Sequence, residues 1–170
     1  MRLVILGAGG YGQTVADLAR QTNLYETILF LDDNASGIDV AGKCADYLQF
    51  IDSNTQMYPA FGNNESRLAW MDRLNQAGTS LLTLVHHTAY VSPTAQIEPG
   101  TIIMPQAVVN TGCYVKLGCI VNCGAVVDHG CILEEGVHVC LGAIVKAENR
   151  IPTCSKIEAG EIIQNRTFPV

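Results

Sequence analysis

Residues 119–145 read CIVNCGAVVDHGCILEEGVHVCLGAIV. A branched aliphatic stands at every sixth position: Val121, Val127, Leu133, Val139 and Val145. The register holds outward in both directions. Upstream it runs back through Val115, Val109, Ile103, Ile97 and Val91 to Val85, and downstream through Ile151 and Ile157 to Ile163. A fixed six-residue period of this length marks a parallel β-solenoid, in which no single repeat buries its own apolar face and stacked neighbours do so together. Four residues after each aliphatic comes a small residue: Ala89, Ala95, Thr101, Ala107, Cys113, Cys119, Ala125, Cys131, Val137 and Ala143. Glycine precedes that position at 100, 112, 118, 124, 130, 136 and 142, as a corner with positive φ requires. Three hexads make one triangular coil, coils stack at about 4.8 Å, and the repeat gives between four and five coils. The period leaves handedness open.

Composition excludes several classes of function. The chain has 170 residues, 48% of them hydrophobic, and a net charge of −6. No basic run is present, which argues against nucleic acid or an anionic membrane surface as partner. No apolar run approaches the roughly 20 residues of a spanning helix, so membrane insertion is not expected. Met1 leads straight into a strand-like run, so no signal peptide is expected and the protein reads as cytoplasmic. Seven cysteines raise the question of metal. Cys113, Cys119 and Cys131 fall on the small inward position as core fillers, no Cys-x-x-Cys occurs, and no metal site is expected. Cys44, Cys123, Cys140 and Cys154 lie off the ladder and carry no assignment.

Ahead of the solenoid, Arg2 to Leu6 reads as a strand, Gly7-Ala-Gly-Gly-Tyr-Gly12 satisfies G-x-G-x-x-G, and Gln13 to Gln21 reads as a helix. A second strand, Thr27 to Leu31, ends in Asp32-Asp33. Glycines between strand and helix let phosphates approach the backbone at a helix N-terminus. An acid at about this distance beyond the glycines accepts from a ribose hydroxyl. Asn34 to Ala41 reads as a loop and Cys44 to Ile51 is ambiguous. Gln56 to Phe61 reads as a strand, Glu65 to Gln76 as an amphipathic helix with Leu68, Met71 and Leu74 inward, and Ser80 to Leu84 as a last strand. The expected organisation is an α/β Rossmann-like domain over residues 1–82, followed by a parallel β-helix over residues 83–170. An N-terminal unit this short cannot hold both halves of a dinucleotide fold, which favours a mononucleotide or nucleotide sugar over NAD.

These residues resemble a known family, the nucleotide-amino-sugar N-acetyltransferases related to sialic acid O-acetyltransferases (PglD/NeuD-like proteins). The resemblance rests on Gly7 to Gly12, Phe30-Leu-Asp-Asp33, Gly62-Asn-Asn64, Ile103-Met-Pro105, Asn122 to Cys131, Val137-His-Val139 and Leu141-Gly-Ala143. It implies a left-handed β-helix, a homotrimer with active sites between subunits, acetyl-CoA as donor and a UDP-linked 4-amino sugar as acceptor. Gly7, Gly9, Gly10, Tyr11, Gly12, Asp32, Asp33 and Asn63 would then hold the nucleotide sugar. His138, Gly142 and Ala147 would hold acetyl-CoA, with Gly142 near an oxyanion donor. His129 matches the family's catalytic base, His138 a second histidine near the acetyl group, and Asp128 a candidate to orient the base. Acetyl transfer to an amine needs such a base, because an ammonium has no lone pair.

The chain departs from this family in three places. Gly130 stands where relatives carry an acid after the catalytic histidine, leaving Asp128, Glu134 or Glu135 as substitutes. Tyr11 replaces a histidine in the glycine loop. The last hexads are irregular, with Asn149 and Glu161 at the small position and Glu148 and Arg166 in place of glycine, and relatives continue for one or two more coils. A polar cap is expected there, and with it weaker CoA binding, a shorter binding track or loss of transferase activity. O-acetylation of a sialic-acid-like sugar and a catalytically silent nucleotide-sugar binder remain alternatives. A reductase ranks last.

Overall fold

The computed structural model describes residues 1–170 as two compact units, Met1–Leu82 and Thr83–Val170. The first opens with strand β1 (Arg2–Leu6), in which Leu3 to Leu6 are fully buried, as the uninterrupted apolar run dictates for a strand covered on both faces. Helix α1 (Gly10–Gln21) turns Val15, Ala16, Leu18 and Ala19 inward. It is followed by β2 (Thr27–Leu31), β3 (Val40–Gly42), a 3₁₀ segment (Cys44–Phe50), β4 (Thr55–Pro59), α2 (Asn64–Gln76) and β5 (Ser80–Leu81). The five strands form one wholly parallel sheet in the order β3-β2-β1-β4-β5, with β1 at its centre. The chain leaves β1 towards β2 on one side and later returns to β4 on the other. The crevice for ligands therefore opens at the C-terminal ends of β1 and β4.

The structure differs from the sequence reading at several boundaries. Helix α1 begins at Gly10 rather than at the expected Gln13, because the last glycines of the loop already take helical geometry. A Cβ on Gly12 would sit 2.0 Å from the Gly7 carbonyl oxygen, so only glycine lets the helix start that close to β1. Part of the expected 34–41 loop is β3, which pairs with β2 through an irregular register. The inward face of α2 carries Arg67 and Asn64 beside Met71 and Leu74, while Leu68 is only half-buried. Arg67 is fully buried and donates to the Asn64 side chain at 2.9 Å and the Phe61 carbonyl at 3.2 Å, a placement that hydropathy alone misses.

The second unit is a solenoid of two-residue strands in three parallel sheets. Face A stacks the strands at 90–91, 108–109, 126–127, 144–145 and 162–163, and face B those at 96–97, 114–115, 132–133 and 150–151. Face C stacks 84–85, 102–103, 120–121, 138–139 and 156–157. Neighbouring coils are offset by three hexads throughout, as in Val108↔Val126 and Ile120↔His138. The ladder aliphatics from Ile103 to Ile163 line one buried core, with Val91 and Ile97 packed against it. The corner glycines at 100, 112, 118, 124, 130, 136 and 142 all have φ between 62° and 73°. The inward cysteines donate S–H to corner carbonyls, Cys113 to Asp128 at 3.0 Å, Cys119 to Glu134 at 3.0 Å and Cys131 to Lys146 at 3.2 Å.

Candidate active site

In the first unit, the glycine loop links β1 to α1. Gly7 has φ 103°, while Gly9 and Gly10 face open space. Gly9 caps α1 without a side chain, which leaves the helix N-terminus available to an anion. Asp32 holds this loop in place. One carboxylate oxygen accepts from Ala8 N–H at 2.7 Å, and the other accepts from Asn34 at 2.8 Å and Ala35 at 2.7 Å. These backbone hydrogen bonds hold its pKa below the ordinary value. Asp33 accepts from the Cys44 N–H at 3.0 Å, and Asn63 caps α2 by accepting from Ser66 at 2.8 Å. Tyr11 turns its hydroxyl to that of Tyr58 at 2.7 Å. Burial, and then the neighbouring Tyr58, raise its pKa well above the usual phenol value. An open cleft of about 310 Å³ lies beside Asp32, lined by Ser36, Gly37, Gly42, Lys43 and Asp46.

In the second unit, His129 occupies the corner between faces A and B, exposed to solvent. Its own N–H donates to Asp128 Oδ1 at 2.7 Å, and its carbonyl accepts from Glu148 N–H at 3.1 Å. Its ring makes no hydrogen bond within the chain. Asp128 Oδ1 also accepts from Asn110 Nδ2 at 3.2 Å, so that oxygen serves the turn. Ala147 lies one coil below His129 in the same corner, buried. An adjoining cleft of about 480 Å³ is lined by Gly130, Glu148, Arg166, Pro169 and Val170.

His138 lies elsewhere on the same coil. It points outward from face C, half-buried, with Nε2 at 3.1 Å from Asn122 Nδ2. It stands one and a half hexads beyond His129, half of a three-hexad coil, so the two rings leave opposite sides of one copy. Gly142 follows in the corner between faces C and A. Its N–H donates to the Cys123 carbonyl at 3.0 Å, which commits the donor to the stack and removes it as an oxyanion ligand. No group of three or more His, Cys, Asp or Glu converges as a metal would need. No helix is long and apolar enough to cross a membrane.

Comparison with known proteins decides the family. Residues 2–74 match the PglD N-terminal domain. The whole chain is similar to the acetyltransferase domain of PglB from Neisseria gonorrhoeae FA1090, at 36% identity and a TM-score of 0.91, over 97% of this chain and 83% of that one. The same domain in complex with acetyl coenzyme A matches at 36% identity over 97% and 82%, with a TM-score of 0.91. A histidine-to-asparagine mutant of perosamine N-acetyltransferase from Caulobacter crescentus, in complex with CoA and GDP-perosamine, shares the fold at 24% identity and a TM-score of 0.80, over 97% and 89%. This chain belongs to the PglD-like nucleotide-sugar acetyltransferases. Its second unit is the left-handed β-helix of that family.

Within this PglD-like frame, Glu148 and Arg166 are residues that the sequence reading noted only as replaced glycines. Both take the left-handed conformation, with φ 58° and 54°. They stack beneath Gly112 and Gly130 at intervals of one full coil, and Arg166 Nη2 pairs with Glu148 Oε2 at 2.5 Å. That one-coil offset was the signal that would have placed them in the column beneath Gly130, the residue next to His129.

Proposed function

We propose that this chain transfers the acetyl group of acetyl-CoA to the amino group of a UDP-linked 4-amino sugar, acting as a homotrimer. The observation that carries the reading is His129, an exposed imidazole at a solenoid corner whose ring has no other task in the chain. His129 takes the proton from the sugar amine as the nitrogen attacks the thioester carbonyl. It then returns that proton to the CoA sulfur as the C–S bond breaks. His138 lines the acetyl group's side of the site, its ring fixed by Asn122 Nδ2, which donates to Nε2 at 3.1 Å. The cleft beside Gly130, Glu148 and Arg166 is the place on this chain that fits part of the donor. The open N-terminus of α1 and the cleft at Asp32 and Lys43 fit a nucleotide diphosphate. Uridine as the base is what the resemblance read from the sequence implies, whereas the perosamine N-acetyltransferase from Caulobacter crescentus binds GDP-perosamine.

The outward residues of face A support association of copies. Tyr90, Val108, Val126, Ile144 and Ile162 form an apolar column, with Tyr90 and Ile162 about half exposed.

The test is acetyl transfer by His129→Ala, assayed with UDP-linked and GDP-linked 4-amino sugars. The variant is expected to bind acetyl-CoA normally and to lose roughly 10²- to 10⁴-fold in rate. Near wild-type transfer would remove His129 as the base. Faster wild-type turnover of the GDP-linked sugar would overturn the choice of uridine.

A further inference from the structure

A general base works best when a third group fixes its ring and favours the charge it acquires. His129 has no such partner in its own turn. The Asp128 oxygen nearest it accepts a backbone N–H and the Asn110 amide. Glu134 sits on face B, paired with Lys116 at 2.7 Å and Arg150 at 2.7 Å. Glu135 is drawn to Lys116 at 3.6 Å and Thr153 at 3.3 Å.

Glu148 is differently placed. Its N–H is bonded to the His129 carbonyl, and its Cγ lies 3.6 Å from where a Cβ on Gly130 would stand. Its side chain therefore leans across Gly130, towards the coil that carries His129. Arg166 holds Oε2 through both Nε and Nη2, while Oε1 accepts no hydrogen bond within the chain. The backbone is also left-handed here without glycine, a strain that persists where the surroundings hold it and that gathers at working sites.

We propose that Glu148 is the positioning residue for His129. Its Oε1 accepts the ring N–H facing away from the amine, and Arg166 steadies its carboxylate from the next coil. Gly130 leaves the space in which the carboxylate crosses from one coil to the other. The acid that orients the base thus comes from the next coil along the solenoid axis rather than from the adjacent residue. This rests on the reading of His129 as base.

The experiment compares Glu148→Gln, Glu148→Asp and Glu148→Gly with His129→Ala, measuring pH profiles of kcat/KM and thermal unfolding. The charged groups around His129 are Asp128 in its own turn, Lys146 stacked beneath Asp128, Glu148 and Arg166. Only the charge of Glu148 is altered in these variants. Glu148→Gln is expected to lose roughly ten- to a hundredfold in kcat. Its pH profile should depart from that of the wild type, because the ring N–H loses the acceptor that holds it. Glu148→Asp should recover part of the rate. Glu148→Gly should share the catalytic loss with an equal or higher Tm, since glycine relieves the left-handed backbone. A merely structural Glu148 would give the opposite pairing, lower stability with an unmoved pH profile. A wild-type rate and profile in Glu148→Gln, with His129→Ala inactive, would overturn the proposal alone. An active His129→Ala would remove the base reading and this proposal together.

Discussion

At the scale of single residues, Asp32 shows how one side chain joins a fold to a site. Its three backbone hydrogen bonds tie the end of β2 to the glycine loop and to the turn after it. Asp32→Ala is expected to loosen the loop and weaken UDP binding while leaving acetyl-CoA binding unchanged, as two titrations by calorimetry would report. Equal loss of both would mean general misfolding. The folded pKa of Asp32 is depressed, chiefly by the Ala8 N–H. Its contribution to stability is therefore complete above the ordinary carboxylate pKa and is lost as pH falls through the lowered folded value. Residue roles were the least legible part of the sequence. Asn63 looks the same in sequence whether it caps a helix or meets a sugar, and here it caps α2. Tyr11 looks available to a ligand until Tyr58, on the β4 strand beside β1, shares a hydrogen bond with its hydroxyl. Left-handed Glu148 costs about 1–2 kcal/mol against glycine, more than its exposed pair with Arg166 returns at about 0–1 kcal/mol. That difference is why Glu148→Gly should not destabilise the fold.

At the scale of elements, the strands of the solenoid were legible because each repeats one environment. An inward aliphatic, a small residue and a left-handed corner recur with every hexad, so one hexad read correctly reads most of the others. The close of the solenoid breaks this repeat. Asn149 takes the inward small position, fully buried. Its amide donates to the Lys146 and Gln164 carbonyls, each at 2.8 Å, and its Oδ1 accepts from the Phe168 N–H at 2.9 Å. The tail then bridges antiparallel at Asn149↔Pro169, and Arg150 N–H reaches the Phe168 carbonyl at 2.6 Å. The irregular residues thus include a polar plug, whose partners in the last coil and the tail follow no period. Asn149→Ala leaves these backbone groups without a partner in the interior, at roughly 1–3 kcal/mol for each group that water does not reach. Hydrogen exchange should show the loss first at Arg150 and Phe168, ahead of Val127 in the middle coils. Uniform loosening along the solenoid would contradict a local plug.

At the scale of the whole molecule, the half-turn between His129 and His138 decides how a site is assembled. A face-A column turned towards a threefold axis has the His129 corner on one flank and, beyond the opposite corner, the His138 face on the other. In a cyclic trimer every copy presents one flank to each neighbour. In the proposed trimer this geometry would bring His129 of one copy to His138 of the next, and neither ring would need to cross its own solenoid. This arrangement predicts complementation. His129→Ala and His138→Ala copies, each inactive alone, are unfolded together, mixed in equal amounts and refolded. Random assembly pairs an intact His129 with an intact His138 at about one quarter of the interfaces, and acetyl transfer should recover to about that fraction of wild type. Mixing without exchange of subunits should recover nothing, which separates a shared site from contamination. Absence of recovery in verified mixed trimers would place both histidines in the service of one copy. The half-turn geometry leaves no single thioester position that both could reach, so His138 would then have to act outside the chemical step.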